Sequence, residues 1–191
     1  MMHDCFVIGS GPSLEGFDFM RLPPAYRIGA NKSAWLADCD CLVTIDPKFH
    51  REFRDQIMAF RGERFVARAE GERIDGVTYI EHGRGRGMAG PGRVHGLNSG
   101  YAALNVAFHK GFKRVGLLGM DFQWVQGRSH FHDGYAWQHS GTHKFLGRWA
   151  VEFRDAFDQL ADAGMEVVNY VGPSGSGITC FEKRPLSELV T

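Results

Sequence analysis

The stretch FVIGSGPSL, residues 6–14, constrains the fold more than any other part of the chain. A short apolar run that stops at glycine is typical of a buried strand followed by a sharp turn. The spacing is not the dinucleotide-binding GxGxxG, because position 14 is leucine, and no GK[ST] follows, as a Walker A loop would require. The stretch therefore predicts either another kind of phosphate-binding or nucleotide-binding loop or an ordinary turn after a strand. In the first case the contacts would be free backbone N–H groups and four residues, Gly9, Ser10, Gly11 and Ser13.

Strands and helices alternate along the remainder of the chain. Apolar runs predict strands at 26–31, 41–45, 64–67, 77–80, 115–119 and 167–171. Helical segments are predicted at 32–37, 49–60, 97–111 and 144–163. Such alternation indicates an α/β fold, with one domain over residues 1–191. We expect a Rossmann-like, mostly parallel sheet with helices on both faces.

Polar residues follow several of the predicted strands, where parallel sheets of this kind bind their ligands. Besides the first loop, the residues expected at this edge are Asn31, Asp46, Asp121 and the helix start Asn98, Ser99 and Gly100. The two aspartates would hold a divalent cation such as Mg²⁺ on a diphosphate, bond a ribose hydroxyl, or only cap turns. The convergence of separate segments on one edge predicts a nucleotide site more firmly than any single motif does.

Histidines crowd into a polar, aromatic segment before the last long helix. His130 and His132 are two residues apart and could chelate a metal, while His139 and His143 would share a helical face. No glutamate or cysteine completes a known zinc pattern there. The pKa of histidine lies near working pH, so one of the four would suit a general base for transfer to a hydroxyl. Three rings nearby would stack on a base or sugar or else close the core: Trp124, Tyr135 and Trp137.

Residues 82–96, HGRGRGMAGPGRVHG, form the one glycine-rich segment of low complexity. Because apolar anchors are scarce in it, we expect a mobile loop over or beside the site, or a surface excursion without a role. Its arginines, Arg84, Arg86 and Arg93, would face either an acidic acceptor or solvent.

The composition excludes several classes of protein. The 191 residues are 43% hydrophobic, which supports a full core and argues against disorder. Lys+Arg and Asp+Glu are both 22, so no global basic field indicates nucleic acid as a partner. The start lacks the pattern of a signal peptide, and no apolar run is long enough to span a membrane. We expect a cytoplasmic location, and homo-oligomerisation is left open.

The order of the motifs resembles a known family. GSGPSL, the RLP after it, Asn31, the run LNSGYAALNVAFHKGFKRVGLLGMDF, the histidine-rich segment and a late strand followed by Pro-Ser resemble the bacterial lipooligosaccharide sialyltransferases, glycosyltransferase family 42. The same skeleton, with a strand ending in Ile-Asp at Asp46, is similar to the 6-hydroxymethylpterin pyrophosphokinase-like family. The resemblance covers most of residues 5–175.

The sialyltransferase resemblance implies roles for particular residues. It places Ser10, Gly11, Ser13 and Asn31 beside the phosphate of a CMP-linked donor, although the family has Asn where this chain has Ser10. Asn98-Ser99-Gly100 stands where the family has a phosphate-facing Thr-Ser-Gly, and Gln123 replaces a Tyr that touches the phosphate. Asp46 replaces an Asn, which points toward the pyrophosphokinase-like side and a metal. His139-Ser140 matches the catalytic His-Ser pair, while His143 fits its place at the helix start.

Three hypotheses follow from the sequence. The favoured one is a transferase, a glycosyltransferase that moves a sugar from a nucleotide-sugar donor to a hydroxyl on a small-molecule or glycan acceptor, with His139 or His143 as general base. The second is Mg²⁺-dependent pyrophosphoryl transfer from ATP to a hydroxymethyl acceptor, with the metal on Asp46 and Asp121. The third is a nucleotide-binding protein without catalytic activity.

Overall fold

The computed structural model describes residues 2–67, 72–125, 127–132 and 143–190, with the backbone alone at 143 and 144. Within these residues, eight strands form one sheet in the order β10-β9-β8-β1-β2-β3-β4-β5, and every neighbouring pair is parallel. Two short strands, β6 and β7, pair separately. The strands are β1 Cys5–Ile8, β2 Tyr26–Ala30, β3 Cys41–Thr44, β4 Glu63–Val66, β5 Thr78–Tyr79, β6 Glu81–His82, β7 Arg93–Val94, β8 Arg114–Leu118, β9 Glu166–Val171 and β10 Glu182–Pro185.

Helices cover both faces of the large sheet. The α-helices are α1 Ser33–Leu36, α2 Pro47–Glu52, α3 Arg54–Ala59, α4 Ser99–His109 and α5 His143–Asp162, and short 3₁₀ turns lie at Pro12–Leu14, Phe19–Arg21 and Leu186–Leu189. One core packs α4 and α5 against one face, and the second packs α1, α2, α3 and the last turn against the other. None of the helices in the described ranges is long and apolar enough to cross a membrane.

Strand β1 lies at the centre of the sheet because all four of its residues are apolar. Cys5 and Val7 belong to the core under α4, while Phe6 and Ile8 belong to the opposite core, and each is 0% exposed. Such two-sided burial is typical of strands in parallel sheets. Since β1 pairs with β2 on one side and β8 on the other, the loop that follows it emerges at the middle of the carboxyl edge.

The predicted fold class is confirmed, and the differences are local. Strand β10 was missed because its sequence, Glu-Lys-Arg-Pro, is charged, which suits an edge strand but gives no apolar signal. The helix expected at 49–60 is two helices, α2 and α3, separated at Phe53.

The mobile loop expected at 82–96 is the main correction, since the segment is anchored by buried residues. Met88, Ala89 and Val94 are at most 5% exposed. Asn105 of α4, itself 0% exposed, accepts the backbone N–H groups of Ala89 and His95 at 3.2 Å through Oδ1. The prediction failed because these apolar residues are spread thinly among glycines and do not form a run.

Candidate functional site

A cavity of about 490 Å³ opens at the carboxyl edge of the sheet, beyond β1, β2, β3 and β8 and beside the starts of α4 and α5. Nine of the residues predicted from sequence line it: Gly9, Ser10, Gly11, Asn31, Asp46, Asn98, Ser99, Gly100 and Asp121. Ser13 lies behind this lining and bonds to Asp121. Gln123 is also outside it and donates through Nε2 to the carbonyls of Ser174 and Gly175 at 2.6 and 2.8 Å. The sequence therefore predicted correctly that these nine residues lie together, and their role as a nucleotide site stays a prediction.

The first loop packs tightly onto the end of β8. Gly9 and Gly11 donate their N–H groups to the carbonyls of Leu118 and Gly119, both at 2.8 Å. A Cβ at Gly9 or Gly11 would lie only 2.6 or 2.7 Å from the Gly119 carbonyl oxygen. The glycines of this motif are thus required for contact between two backbones, whatever they contribute toward a ligand.

Asp121 holds the other end of the loop. Its carboxylate is 2% exposed and accepts two bonds of 2.7 Å from Ser13, one from the backbone N–H and one from the hydroxyl. Burial raises the pKa of Asp121, and the two bonds from Ser13 act in the opposite direction. The expectation of free N–H groups is therefore wrong for Gly9, Gly11 and Ser13, because all three donate within the protein.

A pair of serines joins this loop to α1. Ser33, which is 0% exposed, lies with its Oγ 2.7 Å from the Gly9 carbonyl oxygen. The same Oγ lies 2.7 Å from Oγ of Ser10, which lines the cavity. Ser33 was not identified from sequence, where it is only one polar residue at the start of a short helix.

The opposite wall of the cavity is the start of α4. Asn98 caps the helix, since its Oδ1 accepts the N–H of Tyr101 at 2.8 Å. Glu152 of α5 fixes this cap: it accepts Nδ2 of Asn98 at 3.1 Å and the N–H of Leu97 at 2.9 Å from each carboxylate oxygen. Burial raises the pKa of Glu152, against the effect of these bonds. Helix geometry leaves the N–H groups of Ser99 and Gly100 without intrahelical acceptors, so they are available to a ligand.

Asn31 and Asp46 complete the polar lining. Asn31 follows β2 with a left-handed backbone, φ 55°, and its Oδ1 is buried without a partner among the described residues. Asp46 follows β3 and caps α2, since Oδ1 accepts the N–H of Lys48 at 2.9 Å. Its capping role is the simpler of the alternatives considered from sequence, and a ligand contact is compatible with it.

The two predicted metal ligands, Asp46 and Asp121, differ in how many of their carboxylate oxygens already accept hydrogen bonds. Both oxygens of Asp121 are engaged by Ser13, and one oxygen of Asp46 is engaged by Lys48. Within the described ranges, no group of three or more His, Cys, Asp or Glu residues is arranged to hold a metal ion. In a paired-carboxylate Mg²⁺ site, Asp121 would have to bind the metal through the lone pairs that Ser13 does not occupy, and Mg²⁺ binding stays a prediction.

The histidine segment is described only in part. His139 lies outside the described residues, and His143 begins α5 with its side chain outside the description. His130 lines the cavity, with Nδ1 2.8 Å from Oγ of Ser129. The N–H of Phe131 donates to the Ser10 carbonyl at 2.9 Å, which ties this segment to the first loop.

The aromatic wall of the cavity differs from the one expected. Phe145 and Trp149, one turn apart on α5, stack with ring centroids 6.1 Å apart and line the cavity. Trp124 is 38% exposed and lies outside the lining, while Tyr135 and Trp137 lie outside the described residues. The (i, i+4) spacing of Phe145 and Trp149 is typical of the buried stripe of a helix, so the sequence alone does not indicate that they line a cavity.

Comparison of folds gives one informative match. The structure is similar to that of the sialyltransferase CstII from Campylobacter jejuni in complex with a substrate analogue, CMP-3FNeuAc. The TM-score is 0.52 at 15% identity, and the match covers 96% of this chain and 87% of the other. The resemblance to sialyltransferases is confirmed for the fold. No protein-family model and no curated protein matches the chain.

Proposed function

We propose that the protein is a glycosyltransferase that moves a sugar from a CMP-linked donor to a hydroxyl of a small-molecule or glycan acceptor. The observation that carries this proposal is the cavity, where nine residues predicted for a nucleotide meet at the carboxyl edge of the sheet. The fold is similar to one that is seen with a CMP-sugar analogue, which supports the choice of nucleotide.

The start of α4 is the proposed place for the phosphate. Its N–H groups at Ser99 and Gly100 point away from the helix, and the helix dipole favours an anion at this end. Ser99 is 6% exposed and lines the cavity, so a phosphate there would be held away from bulk water. Both effects stabilise the nucleoside monophosphate as it leaves.

The chemistry requires one proton transfer. The bond between the anomeric carbon and the phosphate oxygen breaks, a bond from the acceptor oxygen to that carbon forms, and the acceptor proton moves to a base. We propose His139 or His143 for this base, because they match the family's position for it. The nucleoside monophosphate leaves with its electron pair, so the step needs no oxidant or reductant.

Thermal unfolding in the presence of CMP, CDP, UDP, GDP and ATP, each with and without Mg²⁺, tests the choice of ligand. We expect CMP to stabilise the protein without metal, and Ser99→Ala to lose most of that shift. Ser187→Ala, an exposed serine in the last turn, is the matched control and should respond to CMP like the wild type.

Other outcomes would redirect the assignment. Stabilisation by ATP only with Mg²⁺ would favour pyrophosphoryl transfer, and no stabilisation by any nucleotide would contradict the proposal. For the reaction itself, transfer from a CMP-sugar should fall by at least about 100-fold in the variant that removes the base, His139→Ala or His143→Ala. Unchanged turnover in both variants would remove both histidines from the mechanism.

A further inference from the structure

The serine pair beside the first loop has a fixed hydrogen-bond direction. The Gly9 carbonyl only accepts, so the bond of 2.7 Å between it and Ser33 uses the single hydroxyl proton of Ser33. The bond of 2.7 Å between Ser33 and Ser10 then takes its proton from Ser10. The hydroxyl of Ser10 therefore presents only oxygen lone pairs to any other group that approaches it.

Of the backbone N–H groups in residues 9–13, only that of Ser10 has no acceptor among the described residues, so it stays available to a ligand. The hydroxyl of Ser13 donates to Asp121 at 2.7 Å, and the N–H groups of Gly9 and Gly11 donate to the end of β8. Phosphate oxygens require donors, whereas the hydroxyl of Ser10 supplies an acceptor. A phosphate bound by the hydroxyl of Ser10 is thus disfavoured by the hydrogen-bond arrangement around that hydroxyl, and only the backbone N–H of Ser10 could donate to one.

Ser99, on the opposite wall, has the reverse arrangement. Its Oγ accepts the N–H of Ile45 at 3.2 Å, and its own proton has no acceptor among the described residues. Of these two serines, the hydroxyl of Ser10 is therefore an acceptor and that of Ser99 a donor, although the two side chains are chemically identical. A ligand that satisfies both must carry an anion toward Ser99 and a hydrogen-bond donor toward Ser10.

We infer that Ser10 is a specificity-determining residue whose Oγ accepts a hydrogen bond from a donor group of the bound nucleotide, a ribose hydroxyl or the amino group of the base. Ser33 is its positioning residue, because it takes the proton that Ser10 would otherwise offer. This inference rests on the proposed function, since it assumes a nucleotide whose phosphate lies near Ser99. It changes the proposed role of the Ser10 hydroxyl from phosphate binding to recognition of the nucleoside.

Calorimetric binding of four nucleotides tests the inference: CMP, 2′-deoxy-CMP, 3′-deoxy-CMP and UMP, which lacks the amino group. Each of the three analogues lacks one donor group of CMP: the 2′-hydroxyl, the 3′-hydroxyl or the amino group. For the wild type we expect one of these analogues to bind about 3- to 10-fold more weakly than CMP, the range for one neutral hydrogen bond. Ser10→Ala should bind that analogue and CMP with the same affinity. Ser10→Thr, which keeps the hydroxyl, should again bind the analogue more weakly than CMP. Ser187→Ala is again the control.

Ser33→Ala tests whether Ser33 sets the direction of the hydrogen bond made by Ser10 or only packs against it. This change lies outside the cavity lining and frees the proton of Ser10, which can then donate as well as accept. If the sensitive group is a hydroxyl, its fluoro analogue, an acceptor only, should bind Ser33→Ala about 3-fold better relative to CMP than it binds the wild type. If it is the amino group, UMP should improve in the same way. A purely structural role for Ser33 would weaken all analogues equally and overturn this part of the inference.

The failures can be told apart. If none of CMP, CDP, UDP, GDP and ATP binds, the proposed function and this inference fail together. If CMP binds but each analogue is weakened relative to CMP by the same factor in the wild type and in Ser10→Ala, the inference alone fails.

Discussion

The two walls of the cavity are built from similar residues and offer opposite chemistry. Residues 9–13 after β1 and residues 98–100 before and within α4 are both rich in glycine and serine. In the first wall, the N–H groups of Gly9, Gly11 and Ser13 all donate within the protein. In the second, helix geometry leaves the N–H groups of Ser99 and Gly100 for a ligand. Composition alone therefore does not decide which of two such segments binds an anion.

A carboxylate lies behind each wall, and its position contributes to the difference, together with the bonds of Gly9 and Gly11 to the end of β8. Asp121 accepts from Ser13 and so consumes donors of the loop itself. Glu152 accepts from Leu97 and Asn98, which precede the helix, so it orients the cap and leaves the first turn free. Asp121 thus occupies hydrogen-bond donors of the first wall, whereas Glu152 leaves the N–H groups of Ser99 and Gly100 in the second wall unoccupied.

Removing the carboxylate of the first wall should have the largest effect on stability. Asp121→Ala would leave the N–H and hydroxyl of Ser13 without acceptors in a buried place, and we expect a loss of about 2–4 kcal/mol in the free energy of unfolding. Urea denaturation measures this loss. A loss below about 1 kcal/mol would mean that the bonds of Gly9 and Gly11 to β8 hold the loop without Asp121.

Asp121→Asn is the matched control, because it keeps an acceptor for the Ser13 N–H and removes the charge. Burial raises the pKa of Asp121 above its usual 3.8, so the folded protein binds this proton more readily than the unfolded chain does. Ionisation of Asp121 therefore lowers the stability of the wild type at neutral pH. As pH falls from neutrality through the raised pKa to 3.8, the wild type should gain stability relative to Asp121→Asn. The opposite trend would show that the bonds from Ser13 outweigh burial.

Removing the carboxylate of the second wall should have a smaller effect on folding and a clear one on binding. Glu152→Ala would release Leu97 and Asn98, and we expect a loss of about 1–2 kcal/mol in the free energy of unfolding, since the site is only half-buried. CMP affinity should fall several-fold because the α4 start is no longer oriented.

Asp158→Ala is the control for Glu152, since it removes an exposed carboxylate from the same helix. It should change CMP affinity little, because it lies outside the cavity lining and makes the same change in net charge. Equal losses of affinity in Glu152→Ala and Asp158→Ala would indicate a general electrostatic effect and contradict the positioning role.

The convergence of the candidate site residues was predictable from sequence because it depends on topology. Parallel strands bring their carboxyl ends to one edge, so Asn31, Asp46 and Asp121 had to converge once the alternation of strands and helices was recognised. The roles within the site were not predictable, because they depend on long-range partners. Ser13 bonds a residue 108 positions away, and Leu97 bonds one 55 positions away. No local pattern records these pairings.

The loop at 82–96 is a second segment whose role depends on long-range contacts that the local sequence does not reveal. Its glycines and arginines predicted a mobile loop over or beside the site, or a surface excursion without a role. Instead, the segment is held by hydrogen bonds to Asn105 of α4 and Gln159 of α5, neither of which lines the cavity. Asn105 is a polar residue in the buried stripe of a helix, and its function as an anchor appears only when its amide is seen to meet two backbone N–H groups.

The smallest expected effect concerns Asn31, which lies between the two walls at the end of β2. Its left-handed backbone and its buried, unpartnered Oδ1 both cost stability, the oxygen by about 1–3 kcal/mol, and glycine removes both costs. Glycine also makes the unfolded chain more flexible, so we expect Asn31→Gly to raise the free energy of unfolding by only about 1 kcal/mol. Thermal unfolding without ligand measures this gain.

Asp38→Gly is the control for Asn31→Gly, because it changes a residue with a similar backbone outside the cavity lining. Asp38 also has a left-handed backbone, φ 47°, but it is exposed and lies outside the cavity lining. Its replacement relieves the backbone alone, so the gain should be smaller than at Asn31, and stabilisation by CMP should be unchanged. Asn31→Gly should lose part of the CMP shift, because Asn31 lines the cavity in which we propose that the nucleotide binds. A residue that destabilises the empty protein and strengthens its complex is one retained for binding, whereas equal behaviour of the two variants would assign Asn31 a role in the turn only.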